Sequence, residues 1–335
     1  MRAIILATAL LLAACGGETE TVAKTPPIRI EVLDKGITDL ADRAAPGRLE
    51  VAVQNVDGGE VWARNAVETF PMQSVFKAPL GAAVLAEVDA GRLSLDEVVT
   101  ISDMELSPQL SPIAAAWPGR TTYTVRELLT AAVRDSDNTA ADVLMRRIGG
   151  PGALKSWLVE KGIIGLRVDR YEREMAVEVS GMPSFRPAWR TNEAFTAARL
   201  AVPEAQRRAA WATYATDVRD STTTSAMLGF LRQLSAGNLA SPQSTALLLK
   251  LMTETKTGEG RLKAGLPEGA SLAHKTGSSA TNFGITVATN DVGILTLKDG
   301  RTYAVVVMLA DSPADLKERE AIIAEAMRIV AKAVE

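Results

Sequence analysis

The sequence predicts an α/β (α+β) fold in two lobes, a sheet flanked by helices and a separate all-helical lobe. Two observations support this prediction. Alternating apolar and polar residues occur near both ends of the chain, whereas residues 96–253 have mostly helical periodicity. The economical arrangement joins both ends into one sheet. We therefore expect an α/β lobe of about residues 34–95 and 254–335, a helical lobe of about 96–253, and a functional site in the cleft between the lobes.

The N-terminal residues have the pattern of a signal peptide. In residues 1–14, one positive charge precedes an apolar run that is too short to span a bilayer. The sequence Leu12-Ala13-Ala14-Cys15 resembles a bacterial lipobox, in which the cysteine becomes the first mature residue and carries lipid. Residues 15–33 are polar with paired prolines and suit a tether. We expect a periplasmic lipoprotein anchored through Cys15 to a bacterial membrane, the outer membrane; the alternative is an ordinary signal peptide that leaves Cys15 as a free thiol.

Composition excludes several function classes. The net charge of −3 and the lack of a basic stripe give no support for nucleic-acid binding. One cysteine excludes an intramolecular disulfide, and one cysteine with one histidine argues against a zinc site built on these ligands. We therefore expect no metal and no cofactor. A Ser-His-Asp triad would have to use His274, the single histidine.

Local patterns place the elements along the chain. An alternating segment at residues 49–56, a turn at 57–59 and a return at 61–64 predict a β-hairpin. A helix is expected from near Ser74 to a C-terminal stop at Gly91. Further helices are predicted at 34–45, 125–133, 139–148 and 314–334, and further strands at 271–278, 284–288, 292–298 and 301–309.

The predicted helix start contains a serine and a lysine three residues apart. Ser74 and Lys77 would share one helix face, so the hydroxyl and the amine can touch. The positive end of the helix dipole disfavours an ammonium and leaves free backbone N–H groups for an oxyanion. This pair is therefore a candidate activated nucleophile. A Ser-x-x-Lys pattern also occurs about once by chance in a chain of this length. Pro79 is expected to perturb the first turn.

Two tripeptides accompany this pair. Ser136-Asp137-Asn138 precedes a predicted helix, either as a solvated cap or as a loop that presents a hydroxyl and an amide to a cleft. Lys275-Thr276-Gly277 lies in a late strand, where it is either an exposed segment or part of a site. Each tripeptide is expected about 0.1 times or less in a random chain. The three motifs follow the order found in class A β-lactamases and penicillin-binding proteins.

The chain resembles a class A serine β-lactamase from about residue 34 to residue 335. Residues 91–96, 257–262 and 288–291 also match family stretches. Residues 168–175 resemble the omega-loop segment with the deacylating glutamate, here Glu172, and residues 217–220 resemble the far end of that loop. The resemblance implies a two-lobe fold with an antiparallel five-stranded sheet. It also implies a structural ion pair between Arg170 and Asp220.

The resemblance further implies how the site residues act. Ser74 attacks the lactam carbonyl, and either Lys77 or Glu172, the latter through water, removes the serine proton. Ser136 relays a proton to the leaving nitrogen, and Glu172 then activates water against the acyl-enzyme. The remaining roles are substrate contacts: Asn138 holds the acylamino side chain, Lys275, Thr276, Gly277 and Ser278 bind the carboxylate with Arg261 as a supporting cation, and the backbone N–H groups of Ser74 and Ser278 stabilise the oxyanion.

The sequence departs from the family pattern at three places. Ala176 stands where the family usually has an asparagine that helps to hold the deacylating water. The segment 177–216 is far longer than the usual omega loop, with a helical run at 192–202 and another opening at Pro203. We expect its aromatic residues to be packing residues and the segment to form an ordered lid that narrows the cleft. Leu110 stands where the family often has an aromatic residue.

Two other functions share part of this pattern. A D,D-peptidase would share Ser74, Lys77, Ser136 and Lys275 but would not need the segment around Glu172. A penicilloyl-binding sensor would acylate and stop. The presence of Glu172 favours hydrolysis of β-lactam antibiotics over both. We expect a monomer whose only membrane contact is the lipidated Cys15.

Overall fold

The computed structural model describes residues 26–107 and 109–335. The predicted signal peptide, Cys15 and residues 15–25 of the predicted tether lie outside the described residues. The helices are α1 (Ile30–Ala44), α2 (Lys77–Asp89), α3 (Pro112–Ala116), α4 (Val125–Val133), α5 (Asn138–Arg147), α6 (Pro151–Glu160), α7 (Glu172–Glu178), α8 (Asn192–Ala201), α9 (Glu204–Ala215), α10 (Thr224–Ser235), α11 (Pro242–Thr253) and α12 (Leu316–Val334). The strands are β1 (Arg48–Asn55), β2 (Val61–Ala63), β3 (Thr69–Pro71), β4 (Val98–Thr100), β5 (Thr122–Thr124), β6 (Ser221–Thr223), β7 (Ser271–Ser278), β8 (Thr281–Asn282), β9 (Ile285–Thr296) and β10 (Thr302–Ser312).

One antiparallel sheet joins the two ends of the chain, which confirms the predicted two-lobe fold. Five strands follow the order β2-β1-β10-β9-β7, and the two-residue strand β8 adds a sixth beside β9. The register pairs Ala52 with Val306, Val306 with Val292, and Val292 with Lys275. The helices between α3 and α11 form the second lobe. Two short pairs, β3 with β6 and β4 with β5, lie outside the main sheet.

Strand β9 differs from the prediction of two strands at 284–288 and 292–298. The prediction left residues 289–291 outside both strands, yet β9 runs without interruption through Ile285–Thr296. Both side chains are fully buried and hydrogen-bonded: Asn290 donates to the Pro71 carbonyl at 2.8 Å, and Asp291 contacts His274 at 2.8 Å. These bonds satisfy the Asn290 side-chain nitrogen and the Asp291 carboxylate, which makes both residues compatible with the strand interior, although Asn290 Oδ1 has no partner among the described residues.

The sheet has a hydrophobic core on each face. Val51 and Val305 pack against α1 and α12, whereas the alternate residues Ala52 and Val306 face the helical lobe. Helix α1 begins at Ile30, so residues 30–33 of the predicted tether belong to the folded part of the chain. In the described ranges, no helix combines the length and the apolar character needed to cross a membrane.

Glu50 is a buried carboxylate between these core residues on β1. Its side chain is 2 % exposed, and one oxygen accepts a hydrogen bond from Arg64 Nη1 at 2.9 Å. The other oxygen, Oε2, has no hydrogen-bond partner among the residues that the structure describes. Burial raises the pKa of Glu50 from its ordinary value of 4.5 to about 7, against the opposing charge of Arg64.

We expect this carboxylate to make the fold less stable as pH rises. Because the pKa of Glu50 is higher in the folded than in the unfolded protein, folding favours the protonated carboxyl group. The contribution of this group to the stability of the fold is therefore fully present below pH 4.5 and is lost as pH rises through about 7. Glu50→Gln removes this dependence while keeping an oxygen for Arg64. The free energy of unfolding of the variant, relative to wild type, should therefore be about 1–3 kcal/mol higher at pH 8 than at pH 5. Urea unfolding at both pH values measures this, and the exposed Glu160→Gln is the control; a constant difference between Glu50→Gln and wild type contradicts the expectation.

Candidate active site

Ser74 lies on a single turn of 3-10 helix, Gln73–Phe76, and α2 begins directly after it at Lys77. The predicted helix start near Ser74 is therefore present but divided into a 3-10 turn and an α-helix. Pro79 is the third residue of α2, in the turn whose N–H groups have no α-helical partner, so the helix accommodates it. Gln73 adopts a φ of 51°, a left-handed conformation that re-aims the chain just before the serine.

Lys77 is the centre of the site. Its side chain is fully buried, and its Nζ donates hydrogen bonds to Ser74 Oγ at 3.0 Å and to the Ser136 carbonyl at 2.8 Å. The same nitrogen donates to Asn138 Oδ1 and lies 3.3 Å from Glu172 Oε1. One amine thus contacts residues from the first two motifs and from the omega-loop segment, which the sequence predicted to meet.

The Ser136 loop is shaped by Asp137. The Asp137 carboxylate accepts hydrogen bonds from the backbone N–H groups of Ala140 at 2.8 Å, which caps α5, and of Ile113 at 2.9 Å. Burial raises the pKa of Asp137. Ser136 itself has a φ of 63°. Asp137 caps the helix but is fully buried, so the prediction of a solvated cap is wrong, whereas Ser136 and Asn138 contact Lys77 as the second interpretation expects.

Lys275 reaches the site from β7. Its Nζ donates to Ser136 Oγ at 3.0 Å and to the Thr276 carbonyl at 3.1 Å. Burial, followed by the positive charge of Lys77, lowers the pKa of Lys275 well below its ordinary value. The Ser136 hydroxyl therefore lies in contact with a lysine whose proton is held weakly.

The C-terminal part of β7 forms a second side of the site together with Arg261. Arg261 is 5 % exposed and donates to Ser278 Oγ at 2.7 Å and to the Asn290 carbonyl at 2.9 Å. Thr276 shares a hydrogen bond with the Thr257 hydroxyl. A Cβ on Gly277 would lie 2.2 Å from the Met72 carbonyl, so only glycine lets β7 pack this closely against the segment before Ser74.

Glu172 is the first residue of α7 and is 6 % exposed. Asp142 of α5 holds this helix start: its carboxylate accepts hydrogen bonds from the backbone N–H groups of Glu172 at 2.7 Å and Arg173 at 3.1 Å, and from the Ser107 hydroxyl. Burial, with a contribution from the charge of Glu172, raises the pKa of Asp142 to about 6. Sequence analysis missed this residue, although a carboxylate four positions after Asn138 lies on the same helix face.

The Arg170–Asp220 pair is present behind α7. Arg170 Nε donates to Asp220 Oδ2 at 2.6 Å, and the other Asp220 oxygen accepts the backbone N–H of Asp169 at 2.7 Å. Glu178 and Asp217 also pair with Arg170. These contacts join the two ends of the enlarged loop. The Arg170–Asp220 pair itself does not contact Ser74.

The insertion 177–216 is ordered and has its own core. Trp211 and Tyr214 of α9 pack with Met175 of α7 and Val287 of β9. The aromatic residues of the insertion thus pack as expected, and they also bridge to the sheet, a contact that the sequence did not indicate. Gln73 donates a hydrogen bond to the Tyr214 hydroxyl, which connects the insertion to the residue before Ser74.

A cleft of about 900 Å³ lies between the lobes. Ser74, Asn138, Glu172 and Ser278 line it, and the insertion supplies part of its rim. Leu110, at the position where the family often has an aromatic residue, lines the mouth and is 73 % exposed. Ala176 also lines the cleft and presents only a methyl group there.

His274 does not form a triad with Ser74. Its ring is fully buried and contacts Asp291 through Nδ1, whereas the Ser74 hydroxyl contacts Lys77. The lysine-based interpretation is therefore the one that the geometry supports.

We expect Asp142→Ala to impair deacylation by Glu172 more than acylation of Ser74. Loss of the carboxylate leaves two helix N–H groups and the Ser107 hydroxyl without their acceptor, at about 1–3 kcal/mol for each group that remains unpaired. The start of α7 should loosen, so the steady-state turnover of a penicillin should fall while covalent labelling persists. Asp142→Asn keeps one acceptor and should be affected less. Equal activity in Asp142→Ala and wild type would contradict this role.

The site therefore defines a class of enzyme. A buried lysine contacts a serine hydroxyl at a helix start, a second serine joins it to a second lysine, and a glutamate lies 3.3 Å away. This arrangement is typical of a serine enzyme that catalyses acyl transfer. The serine and lysines can form an acyl-enzyme, and the glutamate can activate a water molecule that hydrolyses it.

Comparison with known proteins identifies the family. Residues 32–334 match the model of the β-lactamase enzyme family. The chain is 34% identical over 327 residues to the extended-spectrum β-lactamase PER-1 of Pseudomonas aeruginosa, covering 97% of this chain and 92% of that protein. A β-lactamase structure from Chitinophaga pinensis has a TM-score of 0.76 at 33% identity, covering 90% of this chain and 99% of the other.

A structure of an ancestral class A β-lactamase has a TM-score of 0.72 at 34% identity, covering 90% of this chain and 99% of the other. The chain belongs to the β-lactamase enzyme family and is a class A serine β-lactamase, a hydrolase of the β-lactam amide bond.

Proposed function

We propose that this chain hydrolyses β-lactams through an acyl-enzyme on Ser74 that water, activated by Glu172, then cleaves. The observation that carries the proposal is the position of Lys77 Nζ, 3.0 Å from Ser74 Oγ and 3.3 Å from Glu172 Oε1. A single buried amine thus connects the group needed for acylation to the group needed for deacylation.

Acylation begins when Ser74 Oγ attacks the lactam carbonyl. Lys77, whose Nζ lies 3.0 Å from the hydroxyl, or Glu172 acting through a water, removes the serine proton, and backbone N–H groups of Ser74 and Ser278 hold the oxyanion. The carbon–nitrogen bond of the ring then breaks. Ser136 gives its proton to the released nitrogen and takes one from Lys275, whose Nζ lies 3.0 Å from the Ser136 hydroxyl. The proton removed from Ser74 then replaces the one lost by Lys275, so Glu172 is a carboxylate again before deacylation.

Substrate binding uses the two walls of the cleft. On the β7 wall, Thr276 and Ser278 bind the substrate carboxylate, and Arg261 orients the Ser278 hydroxyl through its 2.7 Å hydrogen bond. On the opposite wall, the Asn138 amide binds the acylamino group. A serine ester then remains between the walls, within reach of a water activated by Glu172.

The decisive experiment separates turnover from labelling. Purified protein is mixed with a chromogenic cephalosporin and, in parallel, with a peptide that ends in D-Ala-D-Ala. Repeated turnover of the cephalosporin supports the proposal. Release of D-alanine without cephalosporin turnover would indicate a D,D-peptidase, and one-to-one labelling without turnover of either substrate would indicate a sensor.

We also propose that Cys15 carries lipid and holds the enzyme, as a monomer, at the periplasmic side of a bacterial membrane, the outer membrane. The lipobox-like sequence around Cys15 supports this proposal. A lipidated N-terminus with several acyl chains would give stable anchoring.

Cys15→Ala should abolish incorporation of labelled palmitate and move the protein out of the membrane fraction. Fractionation of inner and outer membranes then locates the wild-type protein. Light scattering of the Cys15→Ala protein in detergent-free solution gives the oligomeric state. Wild-type protein that is already soluble in a periplasmic extract contradicts the anchor.

A further inference from the structure

Two arginines on the rim of the cleft have no role in the proposed reaction. Arg190 and Arg199 come from the insertion 177–216 and line the cleft that contains Ser74. Both are half-buried. Arg208 and Arg219 in the same part of the chain pair with carboxylates, whereas Arg190 and Arg199 have no carboxylate within ion-pair distance in the described ranges.

The Arg190 guanidinium is held in place at the mouth of the cleft. Its central carbon lies 5.2 Å from the centre of the Trp117 ring, which also lines the cleft. A cation over an aromatic face is attracted to it and loses freedom. The backbone is fixed too, because the Arg190 N–H donates to the Pro187 carbonyl at 3.1 Å. Arg190 is therefore a preorganised cation rather than a freely moving surface side chain.

Arg199 extends the positive charge along the rim. It lies on α8 and lines both the main cleft and a small adjoining recess that Arg207 also lines. Glu193, on the first turn of α8, is an exposed carboxylate on the same lining. Two arginines and one glutamate leave this part of the rim with a net positive charge.

These cations are separate from the groups proposed to bind the ring carboxylate of the substrate. The insertion continues directly from α7, the helix of Glu172 and Ala176. The wall proposed to bind the ring carboxylate is instead β7 with Arg261. Arg190 lies beside Trp117, and Arg199 borders a recess that Asn282 and Phe283 also line. Neither arginine hydrogen-bonds to Ser278 or Arg261, so both are separate from the groups proposed to bind the invariant carboxylate.

We propose that Arg190 and Arg199 form a subsite for β-lactams whose acyl side chain carries its own carboxylate. The proposal rests on the hydrolysis proposed above and names its preferred substrate class. Guanidinium groups bind carboxylates through paired, charge-assisted hydrogen bonds, and partial burial reduces competition from water.

The test compares two penicillins that differ by one carboxylate, benzylpenicillin and α-carboxybenzylpenicillin. Arg190→Gln, Arg199→Gln and the double variant should raise KM for the carboxylated compound, about tenfold in the double variant, at nearly constant kcat. This split is expected because the contact is remote from the scissile bond and is equally strong in the ground state and the transition state. Both constants for benzylpenicillin should stay within about twofold of wild type.

Arg186→Gln is the matched control, because this exposed arginine of the same insertion stacks on Trp189 at 5.4 Å and does not line the cleft. Arg190→Lys should retain part of the preference, and high salt should weaken it in wild type. Equal losses for both penicillins, or the same loss in Arg186→Gln, would overturn the subsite. Wild-type protein that hydrolyses neither penicillin overturns the proposed function itself, and this proposal with it.

Discussion

Ser74→Ala protein should form no covalent adduct with a slowly hydrolysed penicillin and should lose hydrolysis by a factor on the order of 10⁶, the scale seen when a serine hydrolase loses its nucleophile. Ser136, the other serine of the site, does not make the same contact, because its hydroxyl accepts a hydrogen bond from Lys275 and only its carbonyl accepts one from Lys77. The fold should survive the change, because alanine keeps the Cβ of Ser74 and removes the 3.0 Å hydrogen bond that Lys77 donates to the hydroxyl.

Intact mass measures this result directly. Wild type should gain the mass of one ligand, whereas Ser74→Ala should gain none, and peptide mapping should locate the wild-type adduct on Ser74. Ser102→Ala, outside the cleft, is the control and should be labelled as wild type is. An adduct on any other residue would contradict the proposed mechanism, however low the activity of the Ser74 variant.

Local patterns predicted only part of the site. Ser74 and Lys77 meet through helical spacing, and the Ser136 turn is recognisable from its helix-capping residues. That Lys275 joins them was predicted from the motif order and the resemblance to class A β-lactamases. In the structure, strand alternation places Lys275 on the face of β7 that is directed toward the helical lobe.

Other parts of the site depend on contacts between distant segments. Asp142 accepts a hydrogen bond from the Glu172 N–H at a sequence separation of 30 residues, and Gln73 donates one to Tyr214 at a separation of 141 residues. The uninterrupted course of β9 depends on Asn290 and Asp291 finding partners on other strands. Such pairings leave no periodic signal, so a single sequence predicts neither the Asp142 contact nor the docking of the insertion on β9.

The insertion shows how a departure from the family pattern can still be understood in physical terms. Ala176 removes an amide that usually helps to hold the deacylating water, and the segment that follows it builds its own core around Trp211 and Phe195. That core packs against Met175 and Val177 of α7, whereas Asp142 holds the start of the helix. We infer that Glu172 is positioned by the packing of its helix, which lowers the dependence of the site on one water-holding side chain.

The second large effect is expected for Glu172→Gln, which keeps the size of the side chain but removes the base. The acyl-enzyme should still form and then accumulate, and turnover should fall about 10³-fold, within the usual contribution of a general base. The carboxylate is 6 % exposed, lies 3.3 Å from Lys77, and its Oε1 accepts no hydrogen bond from the described residues, so it is available to a water.

Rapid mixing with mass detection separates the two steps. If Lys77 removes the serine proton, acylation in Glu172→Gln should be close to the wild-type rate; a parallel fall in acylation would assign that proton transfer to Glu172 through water. Glu174→Gln is the matched control, because Glu174 lies in the same turn, is exposed and accepts the Tyr171 N–H at 3.1 Å. Unchanged turnover in Glu172→Gln, with a loss in Glu174→Gln, would move the base to Glu174. In either case the covalent adduct on Ser74 should persist longest in the variant that has lost the true base, because deacylation requires an activated water.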